Sequence, residues 1–165
     1  MIPKKREVRL WLDDIRSVHN VGSIFRTAET VGISKIYCAG TTPSPLDRFG
    51  RKRADLAKVA LGAEELVAWE SVNEHAVLRM IRMLKKQGFT VIALEQAANS
   101  IDYHRVKARI KGKGRILIIL GNEVGGVAKS LLKLSDAIAE IPLKGKKESL
   151  NVSVAAGVFL FRVLA

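Results

Sequence analysis

The apolar run Ile116-Leu117-Ile118-Ile119-Leu120 gives way within one residue to Gly121-Asn122-Glu123. A run with no polar alternation reads as a buried strand, and the Gly-Asn step as the tight loop that ends it, with one carboxylate at the loop's mouth. Shorter apolar stretches over 8–12, 35–39, 66–69, 90–94 and 137–141 read as further strands. Between them lie segments with helical spacing, over 20–31, 54–61, 72–86 and 127–134, and a last one over 151–164. Gly32, Gly62 and Gly88 stop three of these helices, and Thr41-Thr42-Pro43-Ser44-Pro45 is a loop. Strands alternating with helices imply an α/β fold, a parallel sheet with helices on both faces. Such sheets bind ligands at the carboxyl ends of their strands, where Gly121-Asn122-Glu123 falls.

The 165 residues suit one domain, and no linker or repeat divides them. The expectation is a single domain over 1–165 with no second domain. Charge narrows the partner: 28 Lys and Arg against 16 Asp and Glu give +12, which suits a polyanion, most simply nucleic acid. Aromatic residues make up only 5%, too few for a sheet of exposed stacking rings. The lone Cys38 excludes an internal disulfide and a cysteine zinc site, and its apolar neighbours suit a buried thiol. His19, His75 and His104 form no metal-ligand pattern, so no metal is expected. The N-terminus Met1-Ile2-Pro3-Lys4-Lys5-Arg6 carries no apolar leader, and no run is long enough to span a bilayer. An intracellular, cytoplasmic protein is expected, with no membrane partner.

The helix over 151–164 has almost no polar face: Val152, Val154, Ala155, Val158, Phe159, Leu160, Phe161, Val163 and Leu164. Such a helix must be buried all round, yet a sheet covers one side of it. The other side calls for a partner, so a homodimer through this helix is expected.

No G-x-G-x-x-G, P-loop or G-x-S-x-G is present. What remains is a set of polar residues at element ends. Taken singly, Asn20, Ser149 and Asn151 are ordinary helix caps, Arg26 an exposed helix residue and Glu123 a surface carboxylate. Together they fall in three segments: Asn20-Val21-Gly22-Ser23-Ile24-Phe25-Arg26-Thr27-Ala28-Glu29, Leu120-Gly121-Asn122-Glu123-Val124-Gly125-Gly126, and Ile141-Pro142-Leu143 with Glu148-Ser149-Leu150-Asn151-Val152-Ser153-Val154-Ala155-Ala156. In order and spacing these resemble the three motifs of the SpoU (TrmH-like) RNA ribose 2′-O-methyltransferases of the SPOUT superfamily. Lys58-Val59-Ala60-Leu61-Gly62-Ala63-Glu64 and Ala93-Leu94-Glu95-Gln96 are similar to that family too, so the likeness covers nearly the whole chain.

The resemblance implies a C-terminal deep trefoil knot, a rare exception to the rule against threading. It implies that the knot binds S-adenosylmethionine, releasing S-adenosylhomocysteine, and that the enzyme is a dimer. Carried over by residue, the cofactor pocket would use Leu94, Gly121, Asn122, Glu123, Ile141, Leu143, Ser149, Leu150 and Asn151. Asn20, Arg26, Glu123, Ser149 and Asn151 would surround the reacting centre. Arg26 would either activate the 2′-hydroxyl or, since a guanidinium is a very poor base, hold the target phosphate. The substrate would be a structured RNA, with tRNA placed ahead of rRNA. RNA capture would fall on Arg26, on the basic segment Arg48, Arg51, Lys52 and Arg53, and on Lys144, Lys146 and Lys147. Competing readings are a non-catalytic RNA-binding protein of the same fold and a knotted methyltransferase acting on a base.

Overall fold

The computed structural model describes residues 6–164 of the chain. The N-terminal stretch over 1–5 and Ala165 lie outside them. Strands β1 (Glu7–Asp13), β2 (Lys35–Ala39), β3 (Ala68–Val72), β4 (Thr90–Leu94), β5 (Ile101–Asp102), β6 (Arg115–Leu120) and β7 (Ala137–Glu140) form one sheet. Its order is β3-β2-β1-β6-β4-β7-β5, and every neighbouring pair is parallel. The helices are α1 (Val18–Val31), α2 (Ala54–Ala60), α3 (Ala63–Leu66), α4 (Val77–Lys86), α5 (Val106–Arg109), α6 (Lys129–Leu134) and α7 (Val152–Leu164).

Side chains alternate across a strand, and the central strands are apolar on both sides. Leu10, Leu12, Ile116, Ile118 and Leu120 face a core shared with Ile24 and Phe25 of α1, Leu56 of α2 and Phe159, Leu160 and Val163 of α7. Trp11, Leu117 and Ile119 face a second core with Ile81 and Leu84 of α4 and Leu131 of α6. Helices therefore cover both faces, as the alternation predicts. Among the described residues no helix is long and apolar enough to cross a membrane.

Most boundaries fall within two residues of the sequence reading, and the larger differences lie in two stretches. The stretch 66–69 is split: Leu66 ends the turn α3, which Ala63-Glu64-Glu65 starts after Gly62 at φ 90°, and the strand runs over Ala68–Val72. Val72 is buried as the last strand residue, and Asn73 caps a 3-10 turn, Glu74–Ala76, before α4 begins. Ile101 to Arg109 holds a two-residue strand, a 3-10 turn and α5, too short for any periodicity to register.

Helix α7 is buried on one side only. Ala156, Phe159, Leu160 and Val163 are inside, while Val154, Val158 and Phe161 are 52%, 39% and 50% exposed. The second apolar side stands open in the single chain.

The register sets up the site. Leu12 and Leu94 both pair with Leu120, and Leu94 pairs with Ala139, so the ends of β1, β6, β4 and β7 lie in one row. Whatever follows those residues emerges on the same edge.

Candidate active site

The polar residues at this edge are joined into one network. Ser17 opens α1 by accepting from the Asn20 N–H at 3.2 Å, which satisfies a donor of the helix's first turn. The Asn20 side chain turns inward and is buried. Its Nδ2 donates to Glu123 Oε1 at 3.0 Å, and its Oδ1 accepts from Asn151 Nδ2 at 3.1 Å. Asn151 also caps α7, its Oδ1 accepting from Ser153 N at 2.9 Å and Ser153 Oγ at 2.6 Å. Two helix N-termini and the loop after β6 are thus tied together by side-chain amides.

Glu123 further accepts from the backbone N–H of Arg16 at 3.2 Å and of Ser17 at 3.3 Å. Partial burial opposes its charge, but the donors from Asn20, its own backbone, Arg16 and Ser17 outweigh that and hold the carboxyl below its ordinary 4.5. Glu123 also lies at the positive end of α1.

The loop after β6 is built around Asn122. Its backbone pairs with Gly126 in both directions, at 3.1 and 3.0 Å. Its Oδ1 accepts from Val124 N at 2.8 Å and Gly125 N at 3.0 Å, and its Nδ2 donates to Asp14 O at 2.7 Å. A Cβ on Gly121 would lie 2.3 Å from Gly126 C and Val127 N, which only glycine avoids. Gly126 has φ 66°, and Glu95 Oε2 stands where its Cβ would be while accepting from Val127 N at 2.7 Å.

A pocket of about 400 Å³ opens between these parts. Leu94, Gly121, Asn122, Glu123, Ile141, Leu143, Ser149 and Leu150 line it, all drawn from the expected cofactor set. Asn151 is not on the wall and acts from behind, through Asn20. The sequence reading overlooked Glu95, Glu140, Glu148 and Val152 as wall residues. The abrupt polar step Leu94-Glu95-Gln96 at a strand end was the available signal for Glu95.

Arg26 is not brought to the pocket of its own chain. It is exposed on α1, off the pocket wall, and six residues of helix separate it from Asn20 by about 9 Å. The expected RNA-binding segment forms a small hairpin, closed by the Leu46–Lys52 bridge and an N–H of Arg53 donating to Pro45 O at 2.9 Å. Arg51 pairs with Asp47 at 2.8 Å and Lys52 pairs with Glu65, so two of its cations are already matched by carboxylates. Arg48 lies 4.7 Å from the ring of Phe49, and Arg53 is half-buried at the stem. Lys144, Lys146 and Lys147 are exposed on the loop between the wall residues Leu143 and Glu148.

The profile of the SpoU rRNA Methylase family matches residues 7–161. The chain belongs to this family. A relative from Coxiella burnetii named 23S rRNA (guanosine-2′-O-)-methyltransferase RlmB is 32% identical over 163 residues, covering 97% of this chain and 60% of that protein. The crystal structure of an AdoMet-bound rRNA methyltransferase from Sinorhizobium meliloti superposes with a TM-score of 0.82 at 29% identity, over 99% of this chain and 57% of that one. A TrmH/SpoU tRNA modifying enzyme from A. aeolicus superposes at 0.79 with 25% identity, over 98% and 76%. The chain thus spans about three fifths of the length of relatives such as the first two. Its sheet and helices are the SpoU methyltransferase fold.

Proposed function

We propose that this chain methylates the 2′-hydroxyl of an RNA ribose, with S-adenosylmethionine as methyl donor, acting as one methyltransferase domain in the cytoplasm. The observation that carries the reading is the Glu123–Asn20–Asn151 network at the mouth of the strand-end pocket. The pocket suits that donor. Its volume lies within the range of about 300–1,000 Å³ usual for such ligands. Leu94, Ile141, Leu143 and Leu150 offer apolar cover for a flat base, and Glu95, Glu123 and Glu148 offer negative charge toward a cationic group.

The donor, when bound, supplies a methyl group activated by sulfonium. The residues of this chain supply placement. Glu123 stays ionised, so it favours positive charge at the mouth without taking up a proton. Asn20 and Asn151 hold that carboxylate in one orientation, which pre-organises the mouth before substrate arrives. Ser149 lines the pocket beside Leu150 and has its hydroxyl available to a ribose or to the donor. Arg26 serves as a phosphate clamp rather than as a base. Its exposure on α1, which packs against α7, suits a role toward RNA held across a homodimer formed through the open side of α7. The C-terminal third is taken to carry the deep trefoil knot of the family.

The sequence reading put tRNA ahead of rRNA. The names of the relatives reverse that order, and ribosomal RNA is the first substrate to test. Purified protein is incubated with radiolabelled S-adenosylmethionine and, separately, with ribosomal RNA and tRNA. The expected result is label in ribosomal RNA, at a site resistant to alkaline cleavage, with incorporation about 10²-fold slower in Glu123→Gln. Label at an alkali-labile site would point to a base, and absence of label from both RNAs would overturn the reading.

A further inference from the structure

We propose a second RNA contact surface at the opposite end of the sheet from the methyl-transfer pocket. It takes RNA phosphates and rests on the reading above that the substrate is RNA. No Asp or Glu occurs between Asp102 and Glu123, while Arg105, Lys107, Arg109, Lys111, Lys113 and Arg115 recur at every second position. All six are exposed. The fold concentrates them: Val106 and Ile110 are fully buried and anchor α5, which leaves the intervening cations outward.

A cleft of about 400 Å³ lies here, at the amino ends of β4 and β7, with Lys85, Arg109, Lys113 and Asp136 on its wall. Asp136 is its one carboxylate, and it is already engaged by Lys85 Nζ at 2.7 Å and by Val91 N at 2.8 Å. Arg109, Lys111 and Lys113 form no ion pair with any described residue, unlike Arg51 and Lys52 of the hairpin. A concave wall with unmatched cations attracts a chain of phosphates more strongly than an internally paired one.

Position gives the surface its consequence. Arg115 opens β6 and Leu120 closes it against the pocket, which separates the two ends by about 16 Å. An RNA touching both must present backbone well beyond the target nucleotide. The surface therefore selects a folded RNA over a short strand, and it acts on capture rather than on chemistry.

The test is the triple variant Arg109→Gln, Lys111→Gln and Lys113→Gln, beside a control, Arg79→Gln, Arg82→Gln and Lys133→Gln, that removes the same charge from exposed positions elsewhere. Affinity for a mixed-sequence hairpin RNA is titrated across salt concentrations, with S-adenosylmethionine binding measured by calorimetry. The expected result is an affinity loss of about tenfold or more for the triple variant and a slope of log K against log salt shallower by about 2–3, with donor affinity unchanged. KM for ribosomal RNA should rise while kcat holds, and the control should shift affinity and slope clearly less. An unchanged affinity and slope, or an equal effect of the control, would overturn the surface. Methyl transfer that persists with an unaltered KM would leave the active-site reading standing without it. Weakened binding by the variant in a protein that never methylates RNA would do the reverse.

Discussion

Glu123 shows how much rests on one side chain. It joins the loop after β6 to the start of α1, and its charge is held by donors rather than by a cation. Glu123→Gln should lower methyl transfer by about 10²-fold, as loss of one pre-organised polar group does elsewhere. Because its folded pKa lies below the ordinary 4.5, its contribution to stability is complete above that value and fades as pH falls through the lower, folded one. The stability gap between wild type and Glu123→Gln, followed by thermal melts, should therefore be constant near neutrality and close only in acid. Gly121→Ala forces a methyl group into Gly126 and Val127 backbone, so it should destabilise by more than about 2 kcal/mol and abolish donor binding in calorimetry. Cys38 is the opposite case. Burial pushes its thiol up to about 12, so native protein should resist thiol reagents that label the unfolded chain within minutes.

At the level of elements, the β1–α1 connection needs support because it carries the donors to Glu123. Thr42 supplies it from the next crossover. Its buried Oγ1 accepts from Ile15 N at 3.0 Å and donates to Leu12 O at 2.9 Å. Thr42→Val keeps the shape and strands both partners, which should cost about 1–3 kcal/mol in denaturant melts. Methyl transfer should fall with it, since Arg16 and Ser17 follow Ile15 directly. Strands with unbroken apolar runs are placed closely by the sequence, β4 to the residue and β6 to within one. The stretch 66–76 is not, because its short apolar pieces carry no clear period and pairing of Ala68 to Val72 with β2 sets the strand's ends.

For the whole molecule, the open side of α7 has a consequence in solution. Val154, Val158 and Phe161 line one stripe of a helix whose other stripe is core. Val158→Glu should convert the proposed dimer to a monomer in light scattering and leave the melting temperature of the monomer close to that of wild type. A monomeric wild-type chain would remove the dimer from the functional account.

The sequence by itself determined the alternation of strands and helices, the strand-end position of Gly121-Asn122-Glu123 and the membership of eight pocket residues. The first two are local matters of hydrophobic period and turn chemistry, and the third came from the resemblance to the SpoU motifs. Tertiary structure alone decided that Asn151 works through Asn20 and not on the pocket wall, that Glu95 fills the space above Gly126, and that Arg26 stands apart from its own pocket. It also decided which charges are spent. Arg51 and Lys52 meet carboxylates, while Arg109 and Lys113 face a cleft whose one acid is taken and Lys111 stands exposed beside them. Spacing along a chain cannot show this, because a hydrogen bond or an ion pair depends on distance in space, and here the deciding partners lie up to 131 positions apart.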